Sequence, residues 1–197
     1  MTDADSLWLH ALQEVVGRAA HEVKDSLNGV SLNLEVVRSR TSRPGAATDN
    51  GALTVFSTAA IEQLELLSLR TEAVLFLVRP AKGPADIALI LQHLASLLIP
   101  ATRADGGRLT VEGYQMSAPT SAPAQATRLG LAVALLRLTA AGGASHCRLD
   151  PGPAPMVRFS HESATPFSLD PAVASVLAEH SIRIDRSGAD LHMTFPA

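Results

Sequence analysis

The sequence predicts an α+β protein, with an N-terminal helical hairpin followed by a small α/β domain. Two observations predict this division. Apolar residues recur every three or four positions through most of the first 80 residues, which is the period of amphipathic helices. Beyond a linker that contains Pro80 and Pro84, short helical patterns and alternating strand patterns follow one another. We therefore predict two domains, at residues 1–80 and 85–197.

The composition indicates the compartment and the class of partner. The 197 residues are 47% hydrophobic but only 4% aromatic, so aliphatic side chains must build the core. A net charge of -3 without a long basic run argues against a nucleic-acid partner. The single cysteine, Cys147, excludes an internal disulfide and suits a reducing compartment. No basic and apolar leader opens the chain, and polar residues or proline interrupt its apolar stretches. We therefore expect a cytoplasmic protein with no membrane span and no membrane partner.

The first helix is predicted from Leu7 to about Arg40, with Asp5 or Ser6 as its N-cap. Residues at helical spacing form one apolar stripe, made of Leu12, Val16, Ala19, Val23, Leu27, Val30, Leu34 and Val37. At about 100° per residue, His21 points away from that stripe. The same outer face carries Glu14, Arg18, Asp25, Asn28 and Leu32. The helix is thus predicted to hold one imidazole toward solvent.

A second helix is predicted at about 52–78, after a loop at 41–51 that is rich in Pro, Gly and Asn-Gly. Its main apolar stripe consists of Leu53, Phe56, Ala60, Leu64, Leu67, Val74 and Val78. Other apolar residues lie off that stripe, namely Leu66, Leu69, Phe76 and Leu77. One hairpin cannot cover so much apolar surface. Either two copies pair into a dimeric four-helix bundle, or the following domain covers the surface.

The second domain alternates between helical and extended patterns. Helices are predicted from Ile87 to Pro100, over 128–141 and over 171–180. Strands are predicted at 108–114, 146–150, 156–160, 181–185 and 190–195, with the last two joined around Ser187 and Gly188. Residues 115–126, rich in Ser, Ala and Pro, are predicted as a loop.

The segment His21-Glu22-Val23-Lys24-Asp25-Ser26-Leu27 resembles the H-box of bacterial histidine kinases. The usual H-box is His-Glu-(Ile/Leu/Val)-(Lys/Arg)-Asn-Pro-Leu, so Asp25 replaces an asparagine and Ser26 a proline. The order of elements after the linker is similar to the ATP-binding domain of those kinases, a Bergerat-type α/β sandwich. Together the two resemblances cover nearly the whole chain.

The chain departs from the kinase pattern wherever nucleotide would bind. The helix that carries asparagine in the family corresponds to 134–141 here, which has neither asparagine nor carboxylate. The Asp-x-Gly-x-Gly segment corresponds to 160–166, which has neither Asp nor Gly, and the glycine-rich lid is absent. Mg²⁺ needs oxygen ligands, and close approach of backbone to phosphate needs glycine. We expect no ATP use, no bound cofactor and no bound metal.

A kinase-like chain without a nucleotide site resembles the bacterial histidine phosphotransferases of phosphorelays. The resemblance implies His21 as the phosphoacceptor and Glu22 as the acid that orients or deprotonates its imidazole. Lys24, Asp25 and Arg18 are supporting candidates, although Lys24 and Arg18 also suit ordinary solvated charges. Asn28, Leu32 and Leu69 are candidates for partner docking, with burial by the bundle or the second domain as the alternative for the two leucines.

The same resemblance implies the partners. These are response-regulator receiver domains, a hybrid histidine kinase as a further candidate, and a second copy of the chain in a homodimer. Mg²⁺ is expected on the receiver and not on this chain. Two alternatives remain open: a non-catalytic adaptor that binds receivers, and a divergent kinase or phosphatase in which Asp25 places the attacking water.

The remaining histidines and the cysteine give weak signals. His10, His93, His146, His161, His180 and His192 show no paired metal-ligand spacing. Cys147 is predicted to be a core thiol, since its neighbour His146 must face the opposite side of a strand.

Overall fold

A computed structural model describes residues 3–42, 50–80, 83–162 and 168–197. Two long helices come first, α1 over Asp3–Thr41 and α2 over Asn50–Val78, and a mixed α/β unit follows. The α+β class and the helices-first order are confirmed. Helix α1 begins before the predicted caps, so the N-cap prediction at Asp5 or Ser6 is wrong. Asp5 instead accepts a hydrogen bond of 2.6 Å from Gln125. Residues 43–49 of the predicted loop lie outside the described residues.

The predicted stripes are buried in part, at Leu12, Ala19 and Val30 on α1 and at Ala60 on α2. On α1 the buried positions are Ala11, Leu12, Val15, Ala19, Ser26 and Val30. On α2 they are Ala60, Arg70, Ala73 and Leu77. Leu27 and Leu34, predicted to be in the stripe, are 47% and 51% exposed. Small side chains at a contact let helix axes approach closely, and the neighbouring leucines are then left on an adjacent face.

The α/β unit contains a five-stranded sheet with helices packed on one face. Its elements are α3 (Ile87–Ala104), β2 (Arg108–Glu112), α4 (Ala124–Ala140), β4 (Ala144–Asp150), β5 (Met156–His161), α5 (Pro171–Glu179), β6 (Arg183–Ser187) and β7 (Asp190–Thr194). The strand order is β2-β4-β5-β7-β6. The β2–β4 pair is parallel and the other pairs are antiparallel. The predicted succession of helices and strands in this unit is confirmed.

Two predictions inside this unit are wrong. Helix α3 runs through Pro100 to Ala104, because a proline near a helix end removes only one backbone donor and the buried face continues beyond it. The predicted loop at 115–126 contains a strand, β3 (Pro119–Pro123), and the start of α4. Strand β3 pairs with β1 (Pro84–Asp86), and the Thr120 hydroxyl donates 2.6 Å to the carbonyl of Pro196. These tertiary contacts hold a segment whose sequence has little strand propensity.

The N-terminal half of α1 and the C-terminal end of α2 pack against the α/β unit. Ala11, Val15 and Leu77 belong to the same core cluster as the buried residues of α3 and α4. The guanidinium of Arg128 on α4 donates 2.7 Å to the carbonyl of Arg79, just beyond the end of α2. The following unit therefore covers part of the hairpin, as one of the two alternatives predicted. The division into two domains stays a prediction, since a single core joins them.

Helices α2 and α3 are each long and apolar enough to cross a membrane, by length and composition alone. This corrects the prediction that every apolar stretch is too short. The apolar character of α3 is explained by burial inside the unit, because 56% of its most apolar 18-residue stretch is buried. The corresponding stretch of α2 is only 6% buried, so its apolar surface needs another explanation.

Candidate functional site

His21 lies exposed on α1, just beyond the part of that helix that packs on the α/β unit. It makes no hydrogen bond or ion pair within the described residues. Asp25 and Lys24 are also exposed, and neither forms an ion pair in the described part of the chain. Asp25 lies one helical turn after His21, on the same face. The imidazole is thus accessible to a partner.

Glu22 is turned away from solvent and toward α2. One of its carboxylate oxygens, Oε2, lies 3.5 Å from Nη2 of Arg70. Nη1 of the same guanidinium donates 2.9 Å to the Glu22 carbonyl and 2.5 Å to the Ser26 hydroxyl. Ser26 also donates 2.9 Å to the Glu22 carbonyl. The residue after His21 is therefore held by a polar network inside the hairpin.

Arg18 connects the hairpin to the α/β unit. Its Nη1 donates 2.9 Å to the hydroxyl of Thr139 on α4, and its Nη2 contacts Glu14 at 2.9 Å. A side chain predicted to screen phosphate is thus engaged in two structural contacts one turn before His21.

The three predicted docking residues are all exposed. Leu32, on the same helical face as His21, is 64% exposed, and Asn28 lies between them along the helix. Leu69, 56% exposed, borders a cleft of ≈ 390 Å³ between α2 and α3, together with Leu66 and Ile99. Phe76, also considered exposed in the sequence, is instead partly buried against His93, with ring centroids 4.2 Å apart.

A second set of exposed apolar residues lies on a different side of the hairpin. We call it the open apolar face, and it comprises Leu27, Leu34, Ile61, Leu64, Leu75 and Val78. At about 100° per residue, Leu27 and Leu34 lie at least about 120° around α1 from His21. The open apolar face is therefore separate from the face that carries the imidazole.

Sequence reasoning missed Arg70 and the role of Ser26. The signal was present, because Arg70 continues a line of Leu67, Val74 and Leu77 at helical spacing, where an apolar residue is expected. Its position is buried, at 8% exposure.

The described residues of the α/β unit do not bring together a similar group of polar side chains. The helix that resembles the nucleotide-binding helix of kinases is α4, and its outer face meets α1 and α5 around a cavity of ≈ 270 Å³. Leu7 and Ala11 of α1 line that cavity opposite Val133 and Leu136. Within the described residues, no group of three His, Cys, Asp or Glu side chains is placed to hold a metal ion. Residues 163–167, part of the stretch compared with the adenine-binding segment, lie outside the described residues.

Cys147 is fully buried, and burial raises the pKa of its thiol. His146 faces the other side of β4, where its Nε2 lies 3.4 Å from Glu112. The prediction of a core thiol with an outward-facing neighbour is confirmed.

Comparison with known proteins gives little beyond this geometry. No family model and no curated protein matches the chain. Among solved structures, the chain is similar to the Acinetobacter baumannii histidine kinase AdeS, with 9% sequence identity and a TM-score of 0.39. The match covers 89% of this chain and 97% of that one. A likeness of this degree does not establish a family.

Proposed function

We propose that this protein is a histidine phosphotransferase of a two-component phosphorelay. His21 accepts a phosphoryl group from an aspartyl phosphate on one receiver domain and passes it to another response regulator. One observation carries the proposal: within an H-box-like segment, His21 is exposed and forms no hydrogen bond or ion pair in the described part of the chain, while Glu22 and Ser26 are held by contacts to Arg70 of α2.

The chemistry asks little of this chain. A histidine side chain is largely neutral at cellular pH, so it can attack the phosphorus of an acyl phosphate without activation. The new bond joins an imidazole nitrogen to phosphorus, the phosphorus–oxygen bond of the aspartyl phosphate breaks, and the receiver's carboxylate leaves. Positive charge develops on the ring, and the carboxylate of Glu22 is the nearest acid in sequence. Mg²⁺ on the receiver neutralises the phosphate, so this chain supplies position and not a metal.

The surroundings of α4 favour a receiver over ATP as the phosphoryl donor. The α4 segment compared with the nucleotide-binding helix carries Leu135, Leu136 and Thr139 on buried positions and has no oxygen-rich side chain facing the cavity. The first turns of α1 lie across that cavity through Leu7 and Ala11. The carboxylates on the cavity wall, Glu14 and Asp170, come from outside the α4 segment.

A homodimer accounts for the open apolar face. Its six large apolar side chains, two on α1 and four on α2, are each at least 45% exposed. A second copy that presents the same face would bury them in a four-helix bundle and leave His21 of each chain outside it. We propose that the protein is a cytoplasmic dimer that has neither a membrane nor a nucleic acid as a partner.

The test is acid-labile phosphate on the purified protein under two donors. One arm uses a panel of phosphorylated receiver domains with Mg²⁺, and the other uses ATP with Mg²⁺. His21→Ala is compared with His10→Ala, which removes another exposed histidine of α1. We expect label from a receiver only, lost in His21→Ala and kept in His10→Ala. Label from ATP would make the protein a kinase, and binding of a receiver without label would make it an adaptor.

Asp25 favours a second candidate, an aspartyl-phosphate phosphatase. Its carboxylate is exposed one turn after His21, where it can meet a water molecule beside a docked receiver. In the same experiment this activity would appear as free phosphate released from the receiver without labelled protein. Loss of that release in Asp25→Ala would identify the group responsible.

A further inference from the structure

Arg70 is a buried charge in the contact between α1 and α2. It is 8% exposed, whereas Glu62, Glu65 and Glu72 on the same helix are exposed. Removing a guanidinium from water is costly, and the cost is recovered only when its donors are well bonded. Its neighbours along this face are Ala73 and Leu77, which are fully buried apolar residues.

Among the described residues, the polar contacts of the Arg70 guanidinium are with Glu22 and Ser26, in the turn of α1 that follows His21. Nη1 reaches the carbonyl of Glu22 at 2.9 Å and the hydroxyl of Ser26 at 2.5 Å. Nη2 reaches only one carboxylate oxygen of Glu22, Oε2, at 3.5 Å. A guanidinium presents several donors in a fixed plane, so these contacts restrict both the rotation of α1 and the conformation of the Glu22 side chain.

Stability alone gives no reason for an arginine at this position. Replacing a buried ion pair by apolar residues of similar volume is often neutral or stabilising. A leucine or methionine here, combined with an apolar residue at position 22, would extend the apolar line of Leu67, Val74 and Leu77 without a desolvation cost. The arginine does something that an apolar residue cannot, which is to hold an adjacent carboxylate in place.

We infer that Arg70 is a positioning residue for phosphoryl transfer at His21 and acts through Glu22. The inference rests on the proposed function. Arg70 holds the Glu22 side chain through Oε2 and leaves Oε1 of that carboxylate without a contact from Arg70. The role inferred for Glu22 is to present a held negative charge to the neighbouring residue His21, whose imidazole becomes positive as its nitrogen bonds to phosphorus. Because the charge is already in place, no reorganisation is needed at the moment of transfer.

A double-mutant cycle tests this dependence. The variants are Arg70→Met, Glu22→Gln and the double substitution, and the matched control is Arg38→Met on the distal part of α1. Arg38 is exposed, and in the described part of the chain its guanidinium lies 3.9 Å from the carboxylate of Glu35. The readouts are the maximal rate of transfer from a phosphorylated receiver, the receiver concentration at half that rate, helix content and oligomeric state.

Arg70→Met is expected to lower the maximal rate roughly tenfold to a hundredfold, since small losses of alignment have effects of this size. The half-saturating receiver concentration should stay close to that of wild type, because the substitution leaves Asn28, Leu32 and Leu69 in place. In the Glu22→Gln background, Arg70→Met should slow transfer no further. Arg38→Met should behave as wild type throughout.

Equal slowing by Arg70→Met in both backgrounds, or no slowing in either, would overturn the inference. If Arg70→Met does not fold, Arg70→Lys takes its place, since it keeps a positive charge but cannot contact Glu22 and Ser26 together. The same criterion applies to that variant. A wild-type chain that accepts no phosphoryl group from any receiver would instead overturn the proposed function, and this inference with it.

Discussion

The imidazole of His93 stacks on the ring of Phe76, with the two planes 29° apart. The contact joins α3 to α2, and the guanidinium carbon of Arg128 lies 4.7 Å from the centroid of the same phenyl ring. Three elements therefore meet at one aromatic ring, which fixes the base of the hairpin to the α/β unit.

Acid should weaken this junction. Burial lowers the pKa of His93, Arg128 lowers it further, and Glu72 opposes them. Because the folded state disfavours the protonated ring, the stability associated with neutral His93 is present above its ordinary pKa of 6.5. That stability is lost as pH falls through the lowered value. We expect His93→Phe to reduce the loss of thermal stability between about pH 7.5 and pH 5, measured by circular dichroism.

His10→Ala serves as the control for this pH dependence, because it removes an exposed histidine from α1. It should retain the wild-type slope of melting temperature against pH. If His93→Phe shows the wild-type slope as well, groups other than His93 govern the acid response.

Replacing Arg128 should destabilise the whole molecule. Its guanidinium donates to the carbonyls of Leu77 and Arg79 at the end of α2, at 3.4 Å and 2.7 Å. Arg128→Met leaves both carbonyls without that donor and is expected to cost about 1–3 kcal/mol, typical of unsatisfied buried groups. For a protein of this size, each kcal/mol lowers the melting temperature by roughly 2–4 °C. Arg137→Met, an exposed arginine on the same helix, is the matched control and should melt like wild type.

The open apolar face should govern oligomeric state. Leu34→Glu places a charge in the interface of the proposed dimer, where burial of one leucine is worth about 1.5–3 kcal/mol. We expect this variant to be monomeric, or to dimerise much more weakly, by light scattering after size-exclusion chromatography. Leu32→Glu alters a leucine of similar exposure on the His21 face, so it should remain dimeric. A monomeric wild-type protein, or an unchanged dimer in Leu34→Glu, contradicts this arrangement.

The His21 face should govern affinity for the receiver. Leu32→Glu and Leu69→Glu are each expected to raise the half-saturating receiver concentration roughly tenfold, while the maximal transfer rate changes little. The matched control is Met116→Glu, a highly exposed apolar residue between β2 and β3, outside the hairpin. Loss of maximal rate without loss of affinity would show that these leucines do not dock the partner.

Helix caps, strand alternation and helical spacing depend on neighbouring residues, and the features that they determine were predicted from the sequence. Helix α5 begins with Pro171 after Asp170, which caps it through a hydrogen bond of 2.8 Å to the amide of Ala172. The strands of the sheet alternate between buried and exposed residues, and the pattern located them within a few positions. The exposure of His21 likewise followed from helical spacing.

The features that escaped prediction depend on distant parts of the chain. Strand β3 exists because β1 and Pro196 pair with it, and nothing within Pro119–Pro123 indicates that. The sequence around Arg70 does not distinguish it from a surface arginine. Its position inside the hairpin depends on contacts with Glu22 and Ser26, which lie more than 40 residues earlier in the chain. An apolar stripe shows that a helix face is covered, but it does not show which surface covers it.

The hydrogen bond from Arg18 to Thr139 limits the side from which a partner can approach His21. On the N-terminal side of His21, α1 is joined to α4, whereas on the C-terminal side it contacts α2, through Arg70 at Ser26 and Phe56 at Arg40. A partner that reaches His21 therefore meets the exposed residues Asp25, Asn28 and Leu32 on the same helical face. In the described part of the chain these three side chains form no hydrogen bond or ion pair, so substitutions there are expected to alter partner choice with little effect on the fold, and recognition and stability are free to evolve separately on a single helix.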